Sequence, residues 1–144
     1  MRIALVSDWT APRLGGIEGQ VNGLAAQLRE RGHAVSVITV TPGPDALDGV
    51  IVHRLAGPVP PGWRGLQRAL ERAGMELGDP VPPALVRRLA AILQDERIDV
   101  VHAHSLWSPL GAMAIKLARD RGVAAVVTNH SLLERASLLF FRAY

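Results

Sequence analysis

Residues 2–40 read RIALVSDWTAPRLGGIEGQVNGLAAQLRERGHAVSVITV, and this stretch decides the fold. Ile3-Ala4-Leu5-Val6 is a short aliphatic run, the pattern of a strand buried on both faces of a sheet. A glycine-containing loop follows. Ile17, Val21, Leu24, Ala25 and Leu28 then fall on one face of a helix. Arg29-Glu30-Arg31 close that helix, and Gly32 stands where a left-handed C-cap belongs. Ala34–Val40 is a second strand. A strand, a helix and a strand joined this way must run parallel.

The same alternation continues outward. Thr41-Pro42-Gly43-Pro44 ends the second strand, and Gly49–Leu55 reads as a weaker third one. Residues 56–83 are the least regular. There Gly57-Pro58, Pro60-Pro61-Gly62 and Pro80-Val81-Pro82-Pro83 bracket a helix over Trp63–Ala73. A helix over Ala84–Gln94 leads to a fourth strand, Asp99–His102. Pro109 opens a helix that runs to Arg121 and stops at Gly122. Val123–Thr128 is the fifth strand, and the segment from Leu132 onward has a helical apolar face. The expected fold is α/β, a doubly wound, Rossmann-like, mostly parallel sheet with helices on both faces.

Composition agrees with one such domain. The chain has 144 residues, 49% of them hydrophobic and 20% charged, which suits a packed core and argues against disorder. Cysteine is absent, which excludes disulfides, cysteine-based zinc sites and thiol nucleophiles. The formal net charge is only +3, yet the isoelectric point is near 10.5. All but one of the basic residues are arginine, the exception being Lys116, so the high value follows from side chains that stay charged far above neutrality. No basic stripe of the kind that binds nucleic acid is present. The N-terminal apolar run breaks at Ser7-Asp8, too short for a signal sequence or a membrane span, and the chain reads as cytoplasmic.

In an open parallel sheet, ligands bind outside the carboxyl ends of the strands. Those ends carry Ser7-Asp8 through Gly15-Gly16, then His102-Ala103-His104-Ser105, then Thr128-Asn129-His130-Ser131. Gly15-Gly16 runs directly into the first helix. Adjacent glycines allow close approach of a ligand, and the free N–H groups of a helix start suit a phosphate or diphosphate. A tight turn needing glycine for sterics alone explains the pair equally well. The dinucleotide fingerprint G-x-G-x-x-G and the P-loop are both absent, so NAD and ATP readings fall.

His102 and His104 are spaced i, i+2, but no carboxylate or third ligand lies near them in sequence, so no metal site is assigned. His102, after two valines, reads as a packed strand-end histidine and His104 as one facing the crevice. His130, in a polar tetrapeptide after a strand, could hydrogen-bond a hydroxyl or a phosphate oxygen; the alternative is a loop-capping role. His33 and His53 are assigned to surface and sheet. Asp8 is either an acid/base or a loop cap, and Glu18 complements the helix dipole. Trp63 and Trp107 are expected to be partly buried. Arg13, Arg64, Arg68 and Arg72 form a basic region, diluted by Glu71 and Glu76, that could meet an anionic membrane surface.

Taken together, Arg2–Val6, Gly15-Gly16-Ile17-Glu18, Leu28–His33, Val35–Thr39, Asp99–Ser105 and Val127–Leu132 resemble the N-terminal half of a family 4 glycosyltransferase of the GT-B fold. The last two motifs are most similar to members that glycosylate phosphatidylinositol. The resemblance covers nearly the whole chain apart from residues 56–83. It implies a retaining transfer of a sugar from a nucleotide donor, UDP- or GDP-linked, to a polyol, sugar or inositol-lipid acceptor, with no other cofactor.

By the same resemblance, Gly15 and Gly16 would contact the donor diphosphate and His130 the donor sugar, as the catalytic residue. Asp8, Glu18, Gln20, His104, Ser105, Asn129 and Ser131 would line the acceptor side of the cleft. The family often has histidine where this chain has Gln20. Residues 1–144 would be the acceptor-binding domain, with a nucleotide-sugar domain supplied in cis or in trans. One wall of a cleft cannot hold a diphosphate and stabilise its departure, so the chain alone is expected to be inert. The other readings are a non-catalytic Rossmann-like binding module, flavodoxin-like, or one half of a two-chain enzyme.

Overall fold

A computed structural model describes residues 1–55, 57, 59–73, 78–105 and 107–130. The elements run β1 (Arg2–Val6), α1 (Gly16–Glu30), β2 (Ala34–Thr39), β3 (Ala46–Leu47), β4 (Val50–Arg54), α2 (Trp63–Arg72), α3 (Pro83–Asp95), β5 (Val100–His104), α4 (Pro109–Asp120) and β6 (Ala124–Thr128). They form one six-stranded sheet in the order β3-β4-β2-β1-β5-β6. Every pairing is parallel except β3 with β4.

The chain builds from β1 through β2 to β4 on one side, then returns past β1 to lay down β5 and β6 on the other. This reversal puts a topological switch point between β1 and β5, which pair directly with Leu5 opposite His102. The two halves place their helices on opposite faces. Val21 and Ala25 of α1 pack on Ile3, Leu5, Val37, Val50 and Val52. Leu85, Leu89 and Leu93 of α3, with Leu110, Ala114 and Ala118 of α4, cover Ala4, Val6, Ile38 and Val101. Burying each such leucine contributes roughly 1.5–3 kcal/mol.

Gly32 and Gly122 sit at φ +80 and +69, the left-handed stops expected of them. Two strands differ from expectation. β3 was not anticipated: it is a two-residue strand joined to β4 by Asp48-Gly49, both at positive φ (47 and 75), as a tight hairpin turn requires. β5 continues to His104 rather than ending at His102, which places both rings on one face of the sheet. The segment from Leu132 onward lies outside the described residues. Residues Ala124–Val127 of β6 are exposed at the end of the sheet. Among the described residues no helix is long and apolar enough to cross a membrane.

Candidate functional site

Asp8 follows β1 at the switch point and is 1% exposed, and neither carboxylate oxygen makes a well-formed hydrogen bond among the described residues. Loss of water pushes its pKa up to about 7. The Ser108 hydroxyl opposes that rise, Asp79 adds to it, and the Leu110 N–H opposes it. Ser108 and Leu110 belong to the start of α4, where Ser108 Oγ accepts from Gly111 N at 2.7 Å. Asp8 therefore faces the positive end of that helix, yet removal from water dominates.

Gly78 closes over Asp8 from the other side. A Cβ at Gly78 would fall on the Asp8 carboxylate. Gly78→Ala is accordingly expected to cost about 1–3 kcal/mol, the range for overpacking a filled site. Urea unfolding midpoints of the variant and the parent measure this; equal midpoints would show that residues 78–80 yield freely.

The glycine loop has an unexpected occupant. Glu18, expected to complement the helix dipole and, by the resemblance, to line the acceptor side, is buried and folds back so that a Cβ at Gly15 would collide with its carboxylate. Arg13 Nε meets it at 2.9 Å, and the Arg13 guanidinium lies 4.8 Å from the centre of the Trp9 ring. Gly16 has open space where a side chain would stand. Leu14 just before the pair is 93% exposed and Gln20 is exposed on α1. A hollow of about 220 Å³ lies beside the loop, lined by Asp8, Trp9, Arg13, Thr41, Arg64 and Asp79 among others.

The ends of β5 and β6 are tied at three points. Ser105 N donates to Thr128 O at 2.8 Å, His102 Nε2 and Thr128 Oγ1 are 2.7 Å apart, and His104 Nδ1 and His130 Nε2 are 2.9 Å apart. Ser105 holds φ +80, a left-handed conformation costing a non-glycine residue about 1–3 kcal/mol and found disproportionately at functional sites. Its hydroxyl accepts from Trp107 N at 3.2 Å.

The rings of His102 and His104 stack at 4.4 Å between centres, while His104 and His130 lie edge to edge, 5.2 Å between centres with planes 7° apart. The facing nitrogens of His104 and His130 are engaged with each other, and among the described residues no group of three ligands could hold a metal. His104 is only 2% exposed. Burial, then the neighbouring His102 and His130, hold its basicity down to about 4; burial, then His130, lowers that of His102.

Asn129 and His130 are half-buried, and Ser131 lies outside the described residues. Trp107 is buried and Trp63 half-buried. Arg64 is bound by Asp79, with contacts of 2.9 and 3.2 Å, and Arg13 by Glu18, so two of the four expected surface cations are already paired. Arg68 and Arg72 are exposed, and Glu76 lies outside the described residues.

Sequence reasoning missed Gly78, Arg54 and the left-handed Ser105. Arg54 binds three loop carbonyls: Nε to Pro44 O at 2.8 Å, Nη1 to Thr41 O at 2.7 Å and Nη2 to Ala11 O at 2.9 Å. It thereby fixes the loop between β1 and α1 to the far side of the sheet. Its only sequence signal is a charge at the end of a strand.

An open, doubly wound sheet with a glycine loop and a histidine pair at its switch point defines a Rossmann-like ligand-binding domain. The chain belongs to the glycosyl transferase 4-like domain family, whose model matches residues 15–143. It is 31% identical over 132 residues to a phosphatidylinositol N-acetylglucosaminyltransferase subunit of Arabidopsis thaliana, covering 92% of this chain and 28% of that protein. It is 32% identical over 131 residues to phosphatidyl-myo-inositol mannosyltransferase of Propionibacterium freudenreichii, covering 87% and 32%. Alpha-monoglucosyldiacylglycerol synthase of Acholeplasma laidlawii is 28% identical over 132 residues, covering 91% and 30%. The chain thus spans about a third or less of these relatives. A glycosyltransferase from Rickettsia africae shares the fold with a TM-score of 0.52 at 18% identity, over 97% of this chain and 33% of that one.

Proposed function

We propose that this domain is the acceptor-binding part of a retaining glycosyltransferase that moves a sugar from a UDP- or GDP-linked donor to an inositol-type lipid headgroup. The observation that carries the reading is the convergence at one switch point of the Gly15-Gly16 helix start and the His104–His130 pair. The names of the relatives support a lipid acceptor. Gly16 N–H and the start of α1 would meet a diphosphate oxygen. Glu18 already neutralises part of that positive end, so the donor would be held chiefly by a second domain. His130 would hydrogen-bond the donor sugar. Asp8, Glu18, Gln20, Ser105, Asn129 and Ser131 would shape the acceptor side.

Such an acceptor is reached at the cytoplasmic face of a membrane. Arg68 and Arg72, exposed one turn apart on α2, are the residues to meet anionic lipid. Full-length enzyme given UDP- or GDP-sugars and phosphatidylinositol vesicles is expected to yield a glycolipid, and the 144-residue chain none. Product from the short chain, or none from the long one with any donor, would overturn the reading. Flotation with anionic vesicles tests the membrane contact separately: Arg68→Ala with Arg72→Ala should reduce the floated fraction.

A further inference from the structure

The His104–His130 contact has a direction, and the direction can be argued. A neutral imidazole has one N–H and one bare nitrogen. His104 Nδ1 lies 2.9 Å from His130 Nε2, while His104 Nε2 is buried without a hydrogen-bond partner among the described residues. A buried N–H left unsatisfied is rarer and costlier than an unused acceptor. The proton of His104 therefore belongs on Nδ1, where it has a partner, and Nε2 keeps its lone pair.

We infer that His104 is a positioning residue that donates from Nδ1 to His130 Nε2, fixing His130 as the Nδ1–H tautomer, with an Nδ1–H that has no partner among the described residues and can serve a ligand. His130 then presents Nδ1–H as its donor. To gain a second proton it would need an N–H at Nε2, facing the N–H of His104. His104 could give way only by moving its proton to Nε2, which has no partner among the described residues. The two rings lie edge to edge, with planes 7° apart and centres 5.2 Å apart, which is the in-plane orientation that this bond needs. The inference rests on the proposed role of His130 for its functional meaning, but not for its geometry.

The chain has five histidines, so ¹H–¹⁵N two-bond correlation spectra of the labelled protein at pH 7.5 give five ring patterns to assign. His130 is expected to show a bare Nε2 and a protonated Nδ1. His104→Asn should keep that pattern, since its amide can place a donor where Nδ1 was. His104→Leu should move the proton of His130 toward Nε2. A parent spectrum with His130 protonated on Nε2, or a tautomer unchanged in His104→Leu, would overturn the inference. Should His104→Leu fail to fold, the parent and His104→Asn spectra decide alone.

In the full-length enzyme, His104→Leu is expected to lower turnover about tenfold or more, as loss of an orienting partner does, with His104→Asn recovering most of it. The spectra use no substrate. Their failure removes this inference and leaves the proposed function standing, whereas absence of any transferase activity does the reverse.

Discussion

Asp8→Asn is expected to leave stability nearly unchanged at pH 4 and to raise it at pH 8. The acid of Asp8, ordinarily near 3.8, is held near 7 in the folded chain because burial disfavours its charge. A group whose folded value is raised favours folding while it stays protonated. That contribution is complete below pH 3.8 and is lost as pH rises to about 7. The full span amounts to roughly 4 kcal/mol, at 1.36 kcal/mol for each tenfold change.

His104 works in the opposite sense. Its value falls from 6.5 to about 4, so its contribution is present above pH 6.5 and is lost as acid brings pH down to about 4. In the parent chain these slopes oppose each other between pH 4 and 6.5. In Asp8→Asn the acid-side loss should stand alone, making stability climb more steeply with pH. Urea midpoints at pH 4, 6 and 8 read both effects. A variant less stable than the parent at pH 8 would mean that ionised Asp8 has a favourable partner in the fold.

His130→Ala in the full-length enzyme is expected to lower turnover by about 10²–10³-fold, the loss typical of removing one preorganised donor from a reacting centre. The unfolding midpoint should change little, because His130 is half-buried and its only hydrogen bond among the described residues is to His104. Removing it leaves His104 Nδ1–H without that acceptor, a cost of order 1 kcal/mol. The kcat at saturating donor, set beside the unfolding curve, separates the two effects. Unchanged kcat would reduce His130 to a loop residue.

The alternation of buried strands with amphipathic helices was legible because each element carries its own periodicity, and Gly32 and Gly122 mark their helix ends by a backbone need only glycine meets cheaply. β3 escaped because two residues cannot display a period, although Asp48-Gly49 is a strong hairpin signal in itself. The extension of β5 to His104 was missed because histidine and serine resemble a loop when the neighbouring strand cannot be seen.

The candidate site was legible by position, since the switch point gathers the residues just beyond β1, β5 and β6. Its chemistry was not. Gly78 reaches Asp8 across 70 positions and His130 reaches His104 across 26. Neither contact has a local pattern. Glu18 illustrates the limit: a first-turn acid is ordinary in sequence, and only the fold shows it pressed against Gly15 and held by Arg13.

Arg54 has a consequence for how variation in this domain is scored. An exchange of arginine for lysine usually counts as silent, since charge and length are kept. At position 54 a single ammonium would have to replace a planar fork that serves Ala11, Thr41 and Pro44 in three directions. Among natural or laboratory variants, Arg54→Lys therefore belongs with the damaging changes, and its harm would surface in the loops after β1 and β2 that it ties together rather than in the strand that carries it.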